Sequence, residues 1–370
     1  VQLFPEDAGV CLPEAVDALL YGTGTIRKLG RVDHKDAFLD TDALEKARGI
    51  TIFSKQALFT AGNTDFTLLD TPGHVDFSTE TERTLQVLDY AVLVISGTDG
   101  VQSHTETLWR LLRRYHVPTF VFVNKMDLPG KSREELLAQL NHRLGEGFVA
   151  FDVPQADRDE ALALCDENLM DRMLDAGQLT DADLIPAVAR RHVFPCWFGS
   201  ALRRTENDAL ESVDALLDGI DRYTRPAPAL DAFGAKVFKV SQDEQGTRLT
   251  WLRVTGGELK VKAQLSGEAD GESWEEKANQ LRLYSGVKYT LAEAIGPGQV
   301  CAVTGLTKAR PGEGLGAERD SDVPVLEPVL SYQVLLPEGA DVHAALGKLH
   351  RLEEEEPQTE QETSLAKTNS

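Results

Sequence analysis

"AVLVISGTDGVQSHTETLWRLLRRYHVPTFVFVNKMD", residues 91–127, sets two short apolar runs on either side of a helical pattern. The runs "AVLVISG" and "TFVFVNK" are nearly continuous, as strands covered on both faces require. Between them Leu108, Leu111, Leu112 and Tyr115 fall at i, i+3, i+4 and i+7, which predicts an amphipathic helix. Strand, crossover helix and strand make the repeating unit of a mostly parallel sheet. Asn124, Lys125, Met126 and Asp127 leave the second strand at its carboxyl end, where open α/β sheets take their ligands. A carboxylate at Asp127 can accept two hydrogen bonds from the N1 and N2 edge of guanine. Asn124 can bond the other edge, and the Lys125 stem can cover the ring. That combination selects guanine over adenine. Taken alone, N-K-x-D also suits a helix cap or chance, so its neighbours must decide.

Upstream, "FTLLDTPGH", residues 66–74, reads as a strand ending in Asp70 and a tight turn through Thr71, Pro72 and Gly73. In a phosphoryl-transfer site such an Asp holds Mg²⁺ through water, and an exposed Gly73 amide reaches a terminal phosphate. His74 then stands beside an attacking water. The competing reading is an ordinary polar turn, because D-x-P-G is common turn chemistry. "ARGITI", residues 47–52, carries Thr51, a candidate Mg²⁺ ligand in a segment that a terminal phosphate can order. After a further buried strand in "VFPCWFGSA", residues 193–201, the backbone of Ser200 and Ala201 can meet the carbonyl oxygen of the base.

Further out, Ile50 to Thr60 and Asp65 to Leu69 are β-rich runs joined by "AGNT", a hairpin signal. "TRPAPALDAFG", residues 224–234, marks a domain boundary. Beyond it, "AKVFKVSQDEQGTRLTWLRVTGGEL", "KANQLRLYSG" and "QVCAVTGL" read as strands of a small antiparallel barrel. Gly312, Gly314 and Gly316 of "PGEGLG" read as its turns. After Pro324 one strand and one helix are expected, too little for a core, and then a polar tail without pattern.

Net charge is −22, which disfavours binding to free nucleic acid. No apolar run approaches the roughly 20 residues of a membrane span. Cys11, Cys165, Cys196 and Cys301 are scattered singly, so no disulfide framework or zinc cluster is indicated and a reduced, cytoplasmic protein is expected. The N-terminus has no secretion-signal pattern, and the missing initiator Met suggests processing or an incomplete end. A monomer is expected, and the scattered hydrophobic pattern gives no exposed seam from which to argue oligomerisation.

The stretch "IRKLGRVDHKDAFLDTDALEKARGITIFSKQA", taken with DTPGHVDF, NKMD and FGSAL, resembles the translational GTPases of the elongation factor G class. More narrowly it is similar to the tetracycline-resistance ribosomal protection proteins, from about Ala18 to Gln358. The resemblance implies an α/β, P-loop-type G domain with a doubly wound, mostly parallel sheet over residues 1–226. An antiparallel β-barrel (227–325) and an incomplete α+β third domain (326–370) would follow, so that the chain is the N-terminal half. It implies GTP and GDP as ligands, Mg²⁺ as cofactor, the ribosome as partner and a link to tetracycline resistance. Thr51 and Asp70 would serve Mg²⁺, Gly73 the γ-phosphate, His74 the catalytic water, and Asn124, Lys125 and Asp127 the guanine.

At the position of the phosphate loop, Asp7, Ala8 and Gly9 match the family, whereas Val10 stands in place of its Lys and Cys11 in place of its Thr. A thiol is a poor ligand for hard Mg²⁺. Pro13 suits a helix start later than a phosphate loop would set it, and Glu6, Glu14 and Asp17 add negative charge there. A non-enzymatic remnant that binds guanine nucleotide weakly or not at all is therefore the alternative to an active GTPase.

Overall fold

The computed structural model describes residues 2–5, 12–27, 55–70, 78–203, 210–243, 245–269, 271–322 and 324, with single positions at 341, 343 and 345. Its contacts separate two compact units: residues 1–228 with 283–290, and residues 229–282 with 291–370.

The first unit is built on a seven-stranded sheet of β1 (Gln2–Pro5), β2 (Lys55–Ala61), β3 (Thr64–Asp70), β4 (Ala91–Ser96), β5 (Thr119–Asn124), β6 (Phe148–Ala150) and β7 (Phe194–Phe198). Its order is β2-β3-β1-β4-β5-β7-β6. β2 pairs antiparallel with β3, and every other pair is parallel. The two apolar runs form β4 and β5 with all residues buried. They pair in register, so that Ser96 and Asn124 end level with each other. The hairpin turn is the pair Gly62 and Asn63. Gly62 has φ 57, and a Cβ there would stand 2.0 Å from the Asp221 carboxylate, so glycine alone suits the position.

The crossover helix spans Ser103–Arg114 and buries Leu108, Leu111 and Leu112 as the spacing predicts. It also buries Trp109, whose ring lies 5.0 Å from Phe148 and 4.7 Å from Phe194 and whose indole N–H donates to the Leu144 carbonyl. Tyr115 falls one residue past the helix, half-buried, with its hydroxyl donating to Glu82 at 2.6 Å. Helices Leu12–Gly22 and Glu211–Tyr223 pack together and share one core with β2 to β5. Pro13 is the second residue of the first of these helices, and Asp17 is buried on it. Three short helices, Gln155–Ala163, Glu167–Ala176 and Asp181–Ala189, fill the crossover between β6 and β7.

The second unit is antiparallel and β-rich. The strands after residue 229 are β8 (Gly234–Gln242), β9 (Arg248–Gly256), β10 (Leu259–Lys260), β11 (Gln264–Ala269), β12 (Glu272–Lys277), β13 (Gln280–Ser285), β14 (Lys288–Ala292), β15 (Ala294–Ile295), β16 (Val300–Thr304) and β17 (Gly314–Gly316); residues 283–290, the end of β13 and the start of β14, are grouped with the first unit. Six of them form one sheet in the order β14-β13-β16-β9-β8-β17, and β10-β15 and β11-β12 form two-stranded pairs. Gly312 lies in a turn as expected. Gly314 and Gly316 do not: they belong to β17, which pairs with β8, and a Cβ on Gly314 would stand 2.4 Å from the Arg319 backbone. Close backbone approach, not turn formation, requires glycine at 314. The strand and helix expected after Pro324 fall outside the described residues, save for positions 341, 343 and 345. Among the described residues no helix is long and apolar enough to cross a membrane.

Candidate functional site

The carboxyl ends of β5 and β7 meet in a polar knot centred on Asn124. β5 delivers this residue buried at the sheet edge. Its side-chain oxygen accepts the Lys125 N–H at 2.8 Å and the Ala201 N–H at 2.8 Å, so one carboxamide fastens the N-K-M-D turn to the G-S-A turn. With both lone pairs of that oxygen engaged, any contact of Asn124 with a base edge would have to come from its side-chain NH₂. Two backbone bonds complete the seam, from Met126 N–H to Gly199 O at 3.0 Å and from Gly199 N–H to Val123 O at 2.9 Å. Ser200 is buried, and its N–H donates to Ser212 Oγ at 3.3 Å. A Cβ on Gly199 would lie 2.1 Å from the Ser212 Cβ, so the turn can seat itself on helix Glu211–Tyr223 only as glycine.

Lys125 takes φ 62, a left-handed conformation uncommon outside glycine. The turn is thereby held open, with Lys125 and Met126 half-buried and Asp127 exposed beyond them. An exposed carboxylate carried on a fixed turn can meet the paired N–H donors of a guanine edge.

Sequence reasoning missed the support under this turn. Gly97 donates its N–H to Asn124 O at 2.7 Å, and a Cβ on it would press the Met126 sulfur at 2.7 Å. Lys131 returns to the same loop, through its N–H to Gly97 O at 3.3 Å and its Nζ to Asp99 O at 2.5 Å. The Asp99 carboxylate accepts from Ser96 Oγ and Thr98 Oγ1, each at 2.7 Å. These bonds, followed by the positive charges of Lys125 and Lys131, hold its carboxyl below the ordinary carboxylate range. The G-T-D-G turn directly after β4 was the available signal.

Asp70 ends β3, buried and level with Leu3 of β1 and Lys55 of β2. The other residues of the phosphate and metal side, Asp7, Ala8, Gly9, Val10, Cys11, Thr51, Thr71, Pro72, Gly73 and His74, lie outside the described residues. Among the described residues no group of three or more His, Cys, Asp or Glu is placed to hold a metal ion. The donor types of the sequence fit Mg²⁺ in part. The Thr51 hydroxyl and Asp70 carboxylate are hard oxygen ligands, whereas the Cys11 thiol is soft.

The elongation factor Tu GTP binding domain matches residues 14–226, more than half of the chain. The chain belongs to this family. The match opens at Glu14, after Val10 and Cys11. Among curated relatives, the chain is similar to elongation factor G of Ureaplasma urealyticum serovar 10, 29% identical over 410 residues that cover 92% of the chain and 59% of that protein. It is also similar to the tetracycline resistance protein TetM of Streptomyces lividans, 33% identical over 345 residues that cover 86% of the chain and 53% of TetM. Elongation factor G of Mycoplasma genitalium is 30% identical over 411 residues that cover 92% of the chain and 59% of that protein. A crystal structure of a Thermus thermophilus protein superposes with a TM-score of 0.73 at 23% identity, covering 96% of this chain and 61% of that one, and shows the same fold. The family member thus falls in the elongation factor G class of translational GTPases, related to TetM, and spans between half and three-fifths of the length of these relatives.

Proposed function

We propose that this chain is a guanine-nucleotide-binding unit of a translational GTPase with a firm hold on the base and a weakened hold on the phosphates. The observation that carries the reading is the Asn124 bridge: one buried side chain fixes both turns that a guanine would touch. Asp127 takes the N1 and N2 edge, the Asn124 NH₂ the opposite edge and the Lys125 stem the ring face; the N–H groups of Ser200 and Ala201, which donate to Ser212 Oγ and Asn124, would reach the carbonyl oxygen only by sharing those bonds. Thr51 and Asp70 would hold Mg²⁺, which when bound supplies positive charge to the β- and γ-phosphates. Gly73 offers its amide to the terminal phosphate, and His74 orients the water that attacks it. GTP hydrolysis to GDP on the ribosome, in the cytoplasm and as a monomer, is the activity that follows; protection from tetracycline rests on the likeness to TetM alone.

Val10 and Cys11 favour a second reading, a binding unit that does not turn over. The missing Lys removes a charge-assisted contact worth about 1.5–3 kcal/mol, equivalent to tenfold or more in affinity. Losing a preorganised charge at the transferring phosphoryl group costs on the order of a hundredfold in rate. Titration with fluorescent GDP, GTP and ATP, with and without Mg²⁺, tests both readings. Guanine-selective binding with turnover supports the GTPase, selective binding without turnover supports the second reading, and no selectivity between GTP and ATP overturns both. Asp127→Asn sharpens the test, because an amide at 127 suits the O2 of xanthine in place of the N2 amine of guanine. XDP should then displace GDP as the preferred ligand.

A further inference from the structure

The edge of the sheet opposite the candidate nucleotide site concentrates positive charge. Across the sequence Asp and Glu outnumber Lys and Arg by 60 to 38, yet residues 107–126 contain Arg110, Arg113, Arg114 and His116 with no carboxylate. Residues 184–205 likewise contain Arg190, Arg191 and His192 with no carboxylate. The fold joins the two segments. Helix Ser103–Arg114 feeds β5 and helix Asp181–Ala189 feeds β7, and these strands are parallel neighbours, so both helix ends emerge at the same edge.

Arg191 ties them together. Its guanidinium donates to the Val117 carbonyl and to Thr119 Oγ1, and stacks 4.8 Å from the Trp109 ring and 5.1 Å from the Phe194 ring. Burial, and then the charge of Arg113, lowers its pKa to about 10. Around it Arg110, Arg113, Arg114, His116 and Arg190 are exposed. Arg110 bonds the Thr107 hydroxyl, and Arg114 lies over the Tyr115 ring. The fold brings two carboxylates beside these segments, Asp166 on His192 at the rim and Glu82 on the Tyr115 hydroxyl, which leaves the exposed arginines in excess.

Complementing a helix dipole explains an Arg at each helix end, worth about 0.3–1 kcal/mol. It does not explain joining two such ends, where like charges repel and each guanidinium is drawn to an outside anion. We propose that this edge is a docking surface for the phosphate backbone of structured RNA, a local basic patch that acts against the net charge of −22 disfavouring nucleic acid over the rest of the molecule. All five cations in it beside the histidines are arginines, whose planar fork binds phosphate in bidentate fashion. Among the described residues, none of the large exposed apolar side chains lies in either segment, so the apolar anchor on which protein partners rely is lacking. A six-residue strand spans about 20 Å, which keeps this surface clear of the candidate nucleotide site and leaves the inference independent of nucleotide binding.

The test is anisotropy of a labelled RNA duplex of about 20 base pairs, titrated with the full chain at about 50 and 200 mM salt. Charge reversal of Arg110→Glu, Arg113→Glu and Arg190→Glu together should weaken binding more than about tenfold and flatten the salt slope by about two to three. The control triple Lys277→Glu, Lys288→Glu and Lys308→Glu carries the same change in net charge on exposed positions, and should cost less than about threefold. Melting followed by circular dichroism checks the fold. If the first triple does not fold, the pair Arg113→Gln and Arg190→Gln should still weaken binding by about threefold or more. Equal losses in both triples, no measurable affinity in the parent chain, or competition by a poly-glutamate peptide as effective as by RNA would overturn the proposal.

Discussion

At Asn124 a single buried carboxamide oxygen holds two turns in place at 2.8 Å each, while at positions 10 and 11 an isopropyl group and a thiol stand where the family carries an ammonium and a hydroxyl. In the proposed reading the base side has its residue types and their support, whereas the phosphate side, assigned to Asp7, Ala8, Gly9, Thr51, Asp70 and Gly73, lacks its main charge. If that reading holds, base selectivity and phosphate affinity should be separable in one domain, each altered without the other.

The largest expected effect comes from breaking the stronger half. Asp127→Ala removes an acceptor of two hydrogen bonds, each worth about 1.5–3 kcal/mol when one partner is charged. GDP affinity should fall by at least about a hundredfold in a fluorescent-nucleotide titration, with an unchanged melting curve because the side chain is exposed. The next effect comes from repairing the weaker half. Val10→Lys with Cys11→Thr should raise affinity for GDP and GTP by about tenfold to over a hundredfold. That gain should shrink when Mg²⁺ is chelated, and a gain that survives chelation in full would show that the hydroxyl does not serve the metal.

Smaller effects test the scaffold of the base side. Gly199→Ala forces a Cβ against Ser212, an overpacking cost of about 1–3 kcal/mol. Melting temperature and GDP affinity should drop together, whereas a drop in stability alone would detach Gly199 from the site. Ser212→Ala removes two long neutral hydrogen bonds between its hydroxyl and the Ser200 backbone, together about 1–2 kcal/mol, so affinity should fall no more than about thirtyfold.

The strands that carry the site were legible because their apolar runs are continuous and bounded by turn residues: β4 and β5 lie where "AVLVISG" and "TFVFVNK" place them. Trp109 escaped the spacing argument, since three leucines already satisfied the period, yet it is the residue that joins the crossover helix to Phe148 and Phe194. The helices between β6 and β7 were not read either. They run for nine or ten residues each, and Pro154, Gly177 and Pro186 interrupt the pattern around or within them. The acceptors and donors proposed for the base side could be named from the sequence as types. Their support could not, because Gly97, Lys131 and Ser212 come from the loop after β4, the loop after β5 and a later helix, and converge only once the sheet has formed. Expecting turns at Gly314 and Gly316 treated glycine as a turn former where the fold uses it for backbone contact.

The Asn124 bridge also bears on time. It joins both turns within the folded chain, so in the proposed reading a nucleotide would meet a finished surface and lose little of its arrival rate to rearrangement. Differences in affinity then fall on departure. With the phosphate charge absent, a bound nucleotide should leave quickly and be replaced from solution without help from an exchange factor, so that residence time is set at Val10 and Cys11 and identity at Asp127.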